Sequence, residues 1–137
     1  LVLDLGAGTG YSAAVLSRLA EAVIALEEDE ALLAEAQTAL TEVGADSVVL
    51  HEAPLTAGAP EMGPYDAIVV EGAVEHLPEA ITDQLKEGGR IAALFLEGRL
   101  GTVRIGYRID GQINWRFAFN AGAPVLPGFR RHQAFSL

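Results

Sequence analysis

The chain has 137 residues, half of them apolar, with no cysteine and a formal net charge of −10. That length suits one domain with a core of its own, and no apolar run approaches a membrane span. The absence of thiols excludes a disulfide framework, thiolate metal sites and methyl transfer through a cysteine adduct; it is compatible with a cytoplasmic location. The charge is uneven: residues 1–89 hold 2 basic and 17 acidic side chains, and residues 90–137 hold 7 arginines and 2 acids. The acidic part repels a phosphate backbone, which argues against nucleic-acid binding. The arginines either solvate strand faces or favour an acidic acceptor.

Leu1 to Leu5 is a short apolar run suited to a strand buried on both faces. After a glycine-rich turn, Ser12 to Ala20 reads as a helix with Val15, Leu16 and Leu19 on one face. Ala22 to Leu26 is a second strand, ending at Glu27. Asp29 to Val43 is a helix with Leu33, Ala36, Leu40 and Val43 at helical spacing, stopped by Gly44. Ser47 to Leu50 is a third strand, and Pro54 to Pro64 is expected to be an exposed, mobile loop. Tyr65 to Val70 is the fourth strand, ending at Glu71. Pro78 to Lys86 is a helix, and Arg90 to Leu96 a fifth strand.

That alternation predicts an α/β fold with a doubly wound, mostly parallel sheet. From Thr102 to Ile109 the pattern changes, with Val103, Ile105, Tyr107 and Ile109 on one face. Asp110-Gly111 is a hairpin turn signal. Gln112 to Phe119 then returns with Ile113, Trp115, Phe117 and Phe119 on one face. A C-terminal antiparallel hairpin therefore closes the sheet, and Ala121 to Phe129 is expected to run along the surface. Residues 1–137 read as a single domain. The chain opens on a strand without a methionine, so an upstream segment is expected.

Asp4, Gly6, Gly8 and Gly10 spell D-x-G-x-G-x-G between the first strand and the first helix. The glycines permit a sharp turn and close backbone approach by a ligand, with no packing return of their own. A dinucleotide fingerprint needs its third glycine at Tyr11, which argues against a nicotinamide dehydrogenase. The pattern resembles motif I of the class I methyltransferases, which bind S-adenosyl-L-methionine. Ligands of open α/β sheets lie outside the carboxyl ends of the strands. The candidate cofactor residues there are Asp4, Gly6, Ala7, Gly8, Thr9, Gly10, Glu27, Glu28, Glu52 and Glu71. Glu27 is placed to accept both ribose hydroxyls, Glu52 an adenine amino group, and Asp4 to orient the turn or an ammonium. Glu28 either joins the ligand or serves the helix N-terminus. His51 and His132 lack a catalytic partner, and His76 is a surface histidine or a base near the methyl group.

Val2-Leu3-Asp4-Leu5-Gly6-Ala7-Gly8-Thr9-Gly10-Tyr11 and the helix after it resemble the first motif of protein-L-isoaspartate O-methyltransferases. Val23 to Glu27, Gly63 to Val70, Leu77-Pro78-Glu79-Ala80 and Asp83 to Arg90 resemble that family's later motifs, so the resemblance covers residues 1–97. It implies a Rossmann-like class I methyltransferase sheet and a cofactor-binding domain that lacks the family's N-terminal segment. It further implies methyl transfer from S-adenosyl-L-methionine to the carboxylate of isoaspartyl residues in damaged proteins or peptides, with no metal. A carboxylate is ionised at neutral pH, so alignment and exclusion of water suffice without a general base. The family's acceptor-binding serine lies upstream of motif I, so no catalytic residue is assigned. Glu71-Gly72-Ala73-Val74-Glu75-His76 departs from the family's small, threonine- and alanine-rich run. Two glutamates there repel an anionic acceptor unless they point away or are protonated, or the acceptor differs. The alternatives are a class I methyltransferase for a small molecule or amine, and a cofactor-binding domain without activity.

Overall fold

The first apolar run becomes strand β1 (Val2–Leu5), which lies between two parallel partners and is buried along its whole length. A central parallel strand has no face open to water, which is why its sequence is apolar almost without interruption. In chain order there follow α1 (Tyr11–Leu16), β2 (Val23–Glu27), α2 (Glu30–Glu42), β3 (Val48–Glu52), β4 (Tyr65–Val74), α3 (Glu79–Thr82), β5 (Leu85–Glu97), β6 (Leu100–Ile109) and β7 (Gln112–Asn120). This computed structural model describes residues 1–131; His132 lies outside the described residues.

The strand order is β3-β2-β1-β4-β5-β6-β7, with β1 to β5 parallel and β6 and β7 antiparallel additions. The order reverses between β1 and β4, which sets a switch point at the carboxyl end of β1. On one face Ala13 and Leu16 of α1 pack with Val2, Val23 and Ala25. On the other, Leu55, Ile81 of α3 and Phe129 pack with Leu3, Leu5, Ile68 and Ile91. The doubly wound, mostly parallel sheet with its C-terminal antiparallel hairpin is therefore present. Among the described residues no helix is long and apolar enough to cross a membrane.

Several boundaries differ from expectation. Helix α1 ends at Leu16, because Arg18 and Leu19 donate to the carbonyls three residues back, Val15 and Leu16. That tightening turns Leu19 outward, to 80% exposure; within α1 itself Val15 is 45% exposed and Ala13 takes the buried place. In α2, Asp29 caps the helix by accepting from the N–H groups of Ala31 and Leu32. Ala36 and Leu40 are buried as expected, whereas Val43 is the exposed C-cap. Strand β3 runs on to Glu52, and β4 runs past Glu71 to Val74 with an irregular pairing between Val69 and Ala73.

The loop from Pro54 to Pro64 is not the exposed segment its composition suggests. Leu55 and Ala59 are buried, and the chain makes two short 3-10 turns. Gln84 holds it: its Oε1 accepts from the Ala59 N–H at 3.0 Å, and its Nε2 donates to the carbonyls of Ala57 and Ala80. The Tyr65 hydroxyl donates to the Ala59 carbonyl at 2.6 Å; burial, with Glu61 nearby, raises its pKa to about 12 and keeps it a neutral donor. The expected helix over Pro78 to Lys86 shrinks to one turn for a related reason. Arg108 donates to the carbonyls of Thr82 and Leu85, which ends the helix and starts β5 early.

In the hairpin, Val103 pairs with Phe119 but Arg104 with Phe117, so Ala118 is an extra residue. This bulge turns Phe119 away from the face shared by Ile113, Trp115 and Phe117. The C-terminal stretch is also more than a surface tail. Val125 bridges to Ala73, and the Phe129 carbonyl accepts from the N–H groups of Glu75 and His76. Phe129 itself is 1% exposed, within the core.

Candidate functional site

At the carboxyl end of β1 the N–H groups of Gly6 and Ala7 both donate to the Leu26 carbonyl, at 2.9 and 3.0 Å. This double bond bends the chain off the sheet, and Gly6, Gly8 and Gly10 follow with φ of 85°, 58° and 91°. Such values belong to the region that side chains with a Cβ avoid. The three glycines then divide their roles. A Cβ at Gly10 would lie 3.2 Å from the Ala36 Cβ, so this glycine seats α1 against α2. A Cβ at Gly6 would meet Leu126 at 3.4 Å. Packing therefore explains Gly10, contrary to expectation, whereas at Gly6 a Cβ would make ordinary contact and the positive φ is what favours glycine. A Cβ at Gly8 would meet nothing within 4 Å, so only this one faces open space. Ala7 is buried beneath the turn and Thr9 exposed on it.

Glu27, the acid expected to grip a ribose, is 5% exposed. Its Oε1 accepts from the Gly8 N–H at 2.9 Å, and its Oε2 from those of Glu28 and Asp29 at 2.9 and 3.0 Å. Three donors on one carboxylate stabilise its charge and make it a clamp between the glycine turn and the end of β2. A carboxylate offers about four acceptor positions, so one remains for a ligand hydroxyl.

Asp4 is wholly buried under the same turn. Its Oδ2 accepts from the Ser12 hydroxyl at 2.7 Å, while Oδ1 has no partner among the described residues. Burial, partly opposed by Ser12 and reinforced by the neighbouring Glu71 carboxylate, raises its pKa to about 7. An acid held there with one orphaned oxygen is suited to a cationic or hydrogen-donating partner. Glu71 is therefore brought to Asp4 rather than left at a strand tip.

Glu28 has a structural task as well: its Oε2 accepts from the Leu55 N–H at 3.1 Å and ties the loop to β2. Glu52 lies opposite Glu27 in the β2–β3 register and is exposed. Glu28, Asp29, Glu52, Ala53 and Pro54 line an open cleft at the ends of those strands. Of the histidines, His51 pairs through Nε2 with Glu61 at 2.8 Å, which joins β3 to the loop. His76 is exposed beyond β4. Glu75 accepts from the Arg131 N–H at 3.0 Å. Sequence reasoning missed Ser12, whose hydroxyl at the second position of α1 was a visible signal, and Leu126, which covers Gly6 and Gly72 and has no local signal.

Residues 1–99 match the family model for protein-L-isoaspartate(D-aspartate) O-methyltransferase. The protein-L-isoaspartate O-methyltransferase of Methanoregula boonei is 43% identical over 90 residues, covering 66% of this chain and 42% of the relative. Protein-L-isoaspartate O-methyltransferase 2 of Pelobacter propionicus is 38% identical over 130 residues, covering 89% of this chain and 58% of the relative. The chain thus spans roughly half the length of such relatives. Among solved structures, a protein-L-isoaspartate O-methyltransferase superposes with a TM-score of 0.85 at 30% identity, covering 93% of this chain and 42% of that one. A Plasmodium falciparum structure, described as a β-aspartate methyltransferase in complex with S-adenosyl-L-homocysteine, covers 91% of this chain and 64% of that one. Its TM-score is 0.77 at 22% identity, a likeness of fold. The chain belongs to the protein-L-isoaspartate(D-aspartate) O-methyltransferase family.

Proposed function

We propose that this chain forms one domain that binds S-adenosyl-L-methionine and serves methyl transfer to isoaspartyl carboxylates in damaged proteins or peptides. The observation that carries the reading is the Glu27 clamp on Gly8, set beside a buried Asp4 with an unpartnered oxygen, inside the segment that matches the family model. The residues present fit the cofactor: Gly8 leaves room for it, and Asp4 has an oxygen to offer a cationic group.

In this reading Asp4 faces the positive end of the ligand, with Glu71 adding to the negative field. Gly6 to Gly10 cradle it, the free acceptor position of Glu27 takes a ribose hydroxyl, and Glu28 and Glu52 flank the base. S-adenosyl-L-methionine, when bound, supplies a methyl group on a positively charged sulfur. The acceptor carboxylate is already ionised at neutral pH, so these residues need only orient the partners and exclude water. The test is transfer of labelled methyl from S-adenosyl-L-methionine to an isoaspartyl peptide, read as a base-labile ester. Label that appears only with the isoaspartyl form supports the reading; none with it, or equal label on the ordinary aspartyl peptide, contradicts it.

A further inference from the structure

A second depression lies at the carboxyl ends of β4 and β5, between His76-Leu77 and the hairpin. Its volume is about 350 Å³, within the range of sites that hold small molecules or side chains. One wall is aromatic: the rings of Phe95 and Trp115 meet edge to face, with centroids 4.9 Å apart and planes at 86°. The Arg104 guanidinium lies over Phe95, 5.1 Å from the ring centroid. Such stacking holds a guanidinium flat and leaves its edge free for a carboxylate. Among the described residues no carboxylate lies within ion-pair distance of Arg104. Arg108, four residues on, is by contrast spent on the carbonyls of Thr82 and Leu85. Glu75, on the facing wall, is occupied by the Arg131 N–H, and Glu97 is an exposed rim residue.

We propose that this cleft holds the stretch of acceptor polypeptide flanking the methylated residue and selects an acidic side chain there through Arg104. The proposal rests on the carboxyl methyltransferase reading above and names a specificity site for it. The spacing suits it: Glu71, beside the glycine turn, is four residues from Glu75 at the cleft, at most about 13 Å along a strand. An extended hexapeptide, roughly 20 Å long, spans both. The hairpin arginine thereby gives an anionic flank a place to bind that does not face the acidic cluster of Asp4 and Glu71.

Trp115 is the sole tryptophan of the chain, so its fluorescence reads the cleft independently of methyl transfer. The experiment titrates the protein, with S-adenosyl-L-homocysteine present, with two tryptophan-free, N-acetylated, C-amidated hexapeptides. Each carries one isoaspartyl residue; one has glutamate two positions after it and the other glutamine. The glutamate peptide is expected to shift Trp115 emission and to bind about tenfold more tightly, as one charge-assisted contact allows, with the preference shrinking at high salt. Arg104→Gln is expected to bring the two affinities within about twofold of each other. Arg116→Gln, which removes an equal charge from the opposite face of β7, keeps the preference. Equal affinities in the unmodified protein, or methyl transfer to the glutamate peptide with no change in Trp115 emission, overturns the proposal. A salt-sensitive glutamate preference without turnover supports it while counting against the methyl-transfer reading.

Discussion

The Oε1 atom of Glu27 accepts the backbone N–H of Gly8 across 19 residues of sequence, at 2.9 Å. One bond thus fixes the end of β2 to the turn after β1, and the acid that the spacing marks for a ligand also shapes the site. Glu27→Ala leaves the N–H groups of Gly8, Glu28 and Asp29 without this acceptor. The expected loss is about 1–3 kcal/mol of stability, read as a lower urea midpoint with an unchanged slope.

Gly8 and Gly10 respond differently to the same substitution. Gly10→Ala places a Cβ 3.2 Å from the Ala36 Cβ at φ 91°, so it loosens α1 from α2 and lowers stability by about 1–3 kcal/mol. Gly8→Ala sits at φ 58° with nothing within 4 Å, so its cost is about 1 kcal/mol. The Cβ at Gly8 instead fills the space kept for the ligand, and affinity for S-adenosyl-L-homocysteine falls at least about tenfold. Thermal melts and calorimetry on both variants separate these roles; an equal loss of ligand affinity in both contradicts the division.

Asp4 gives a pH dependence opposite in sign to that of a salt-bridged acid. Its pKa rises from 3.8 to about 7 on folding, so between those values the folded chain holds a proton that the unfolded chain has lost. Stability attributable to this group is therefore highest below about pH 4 and falls as pH rises to about 7. Asp4→Asn retains an acceptor for Ser12 and removes that fall, so the melting temperatures of parent and variant diverge upward through this window, with the variant higher at pH 8. A cation at the turn favours ionised Asp4, so S-adenosyl-L-methionine affinity rises over the same window in the parent and stays flat in the variant. A parallel pH dependence of the two melts contradicts the assignment.

Gln84→Ala removes the side chain that holds Ala59, Ala57 and Ala80 together. The loop at residues 54–64 then opens, with faster amide exchange at Ala59 and a stability loss of about 1–3 kcal/mol. Unchanged exchange there contradicts the pinning role.

The glycine turn and the acid at the tip of β2 were legible because their chemistry is local. Asp4 and Glu27 sit at strand ends that the apolar pattern locates, and Gly6, Gly8 and Gly10 follow within five residues of Leu5. The loop around Ala59 and the short α3 were not, since Gln84 and Arg108 determine them over more than twenty residues. Burial of Phe129 and the cover of Gly6 by Leu126 likewise depend on where the C-terminal stretch crosses β4. The outward turn of Leu19 followed from a change in hydrogen-bond span that apolar spacing does not record.

Calorimetric titration of the protein with S-adenosyl-L-homocysteine, beside Glu27→Ala, tests the central claim most directly. The account predicts saturable one-to-one heat in the parent and at least about a tenfold loss of affinity in the variant. No heat in the folded parent, or the same affinity in both, contradicts it.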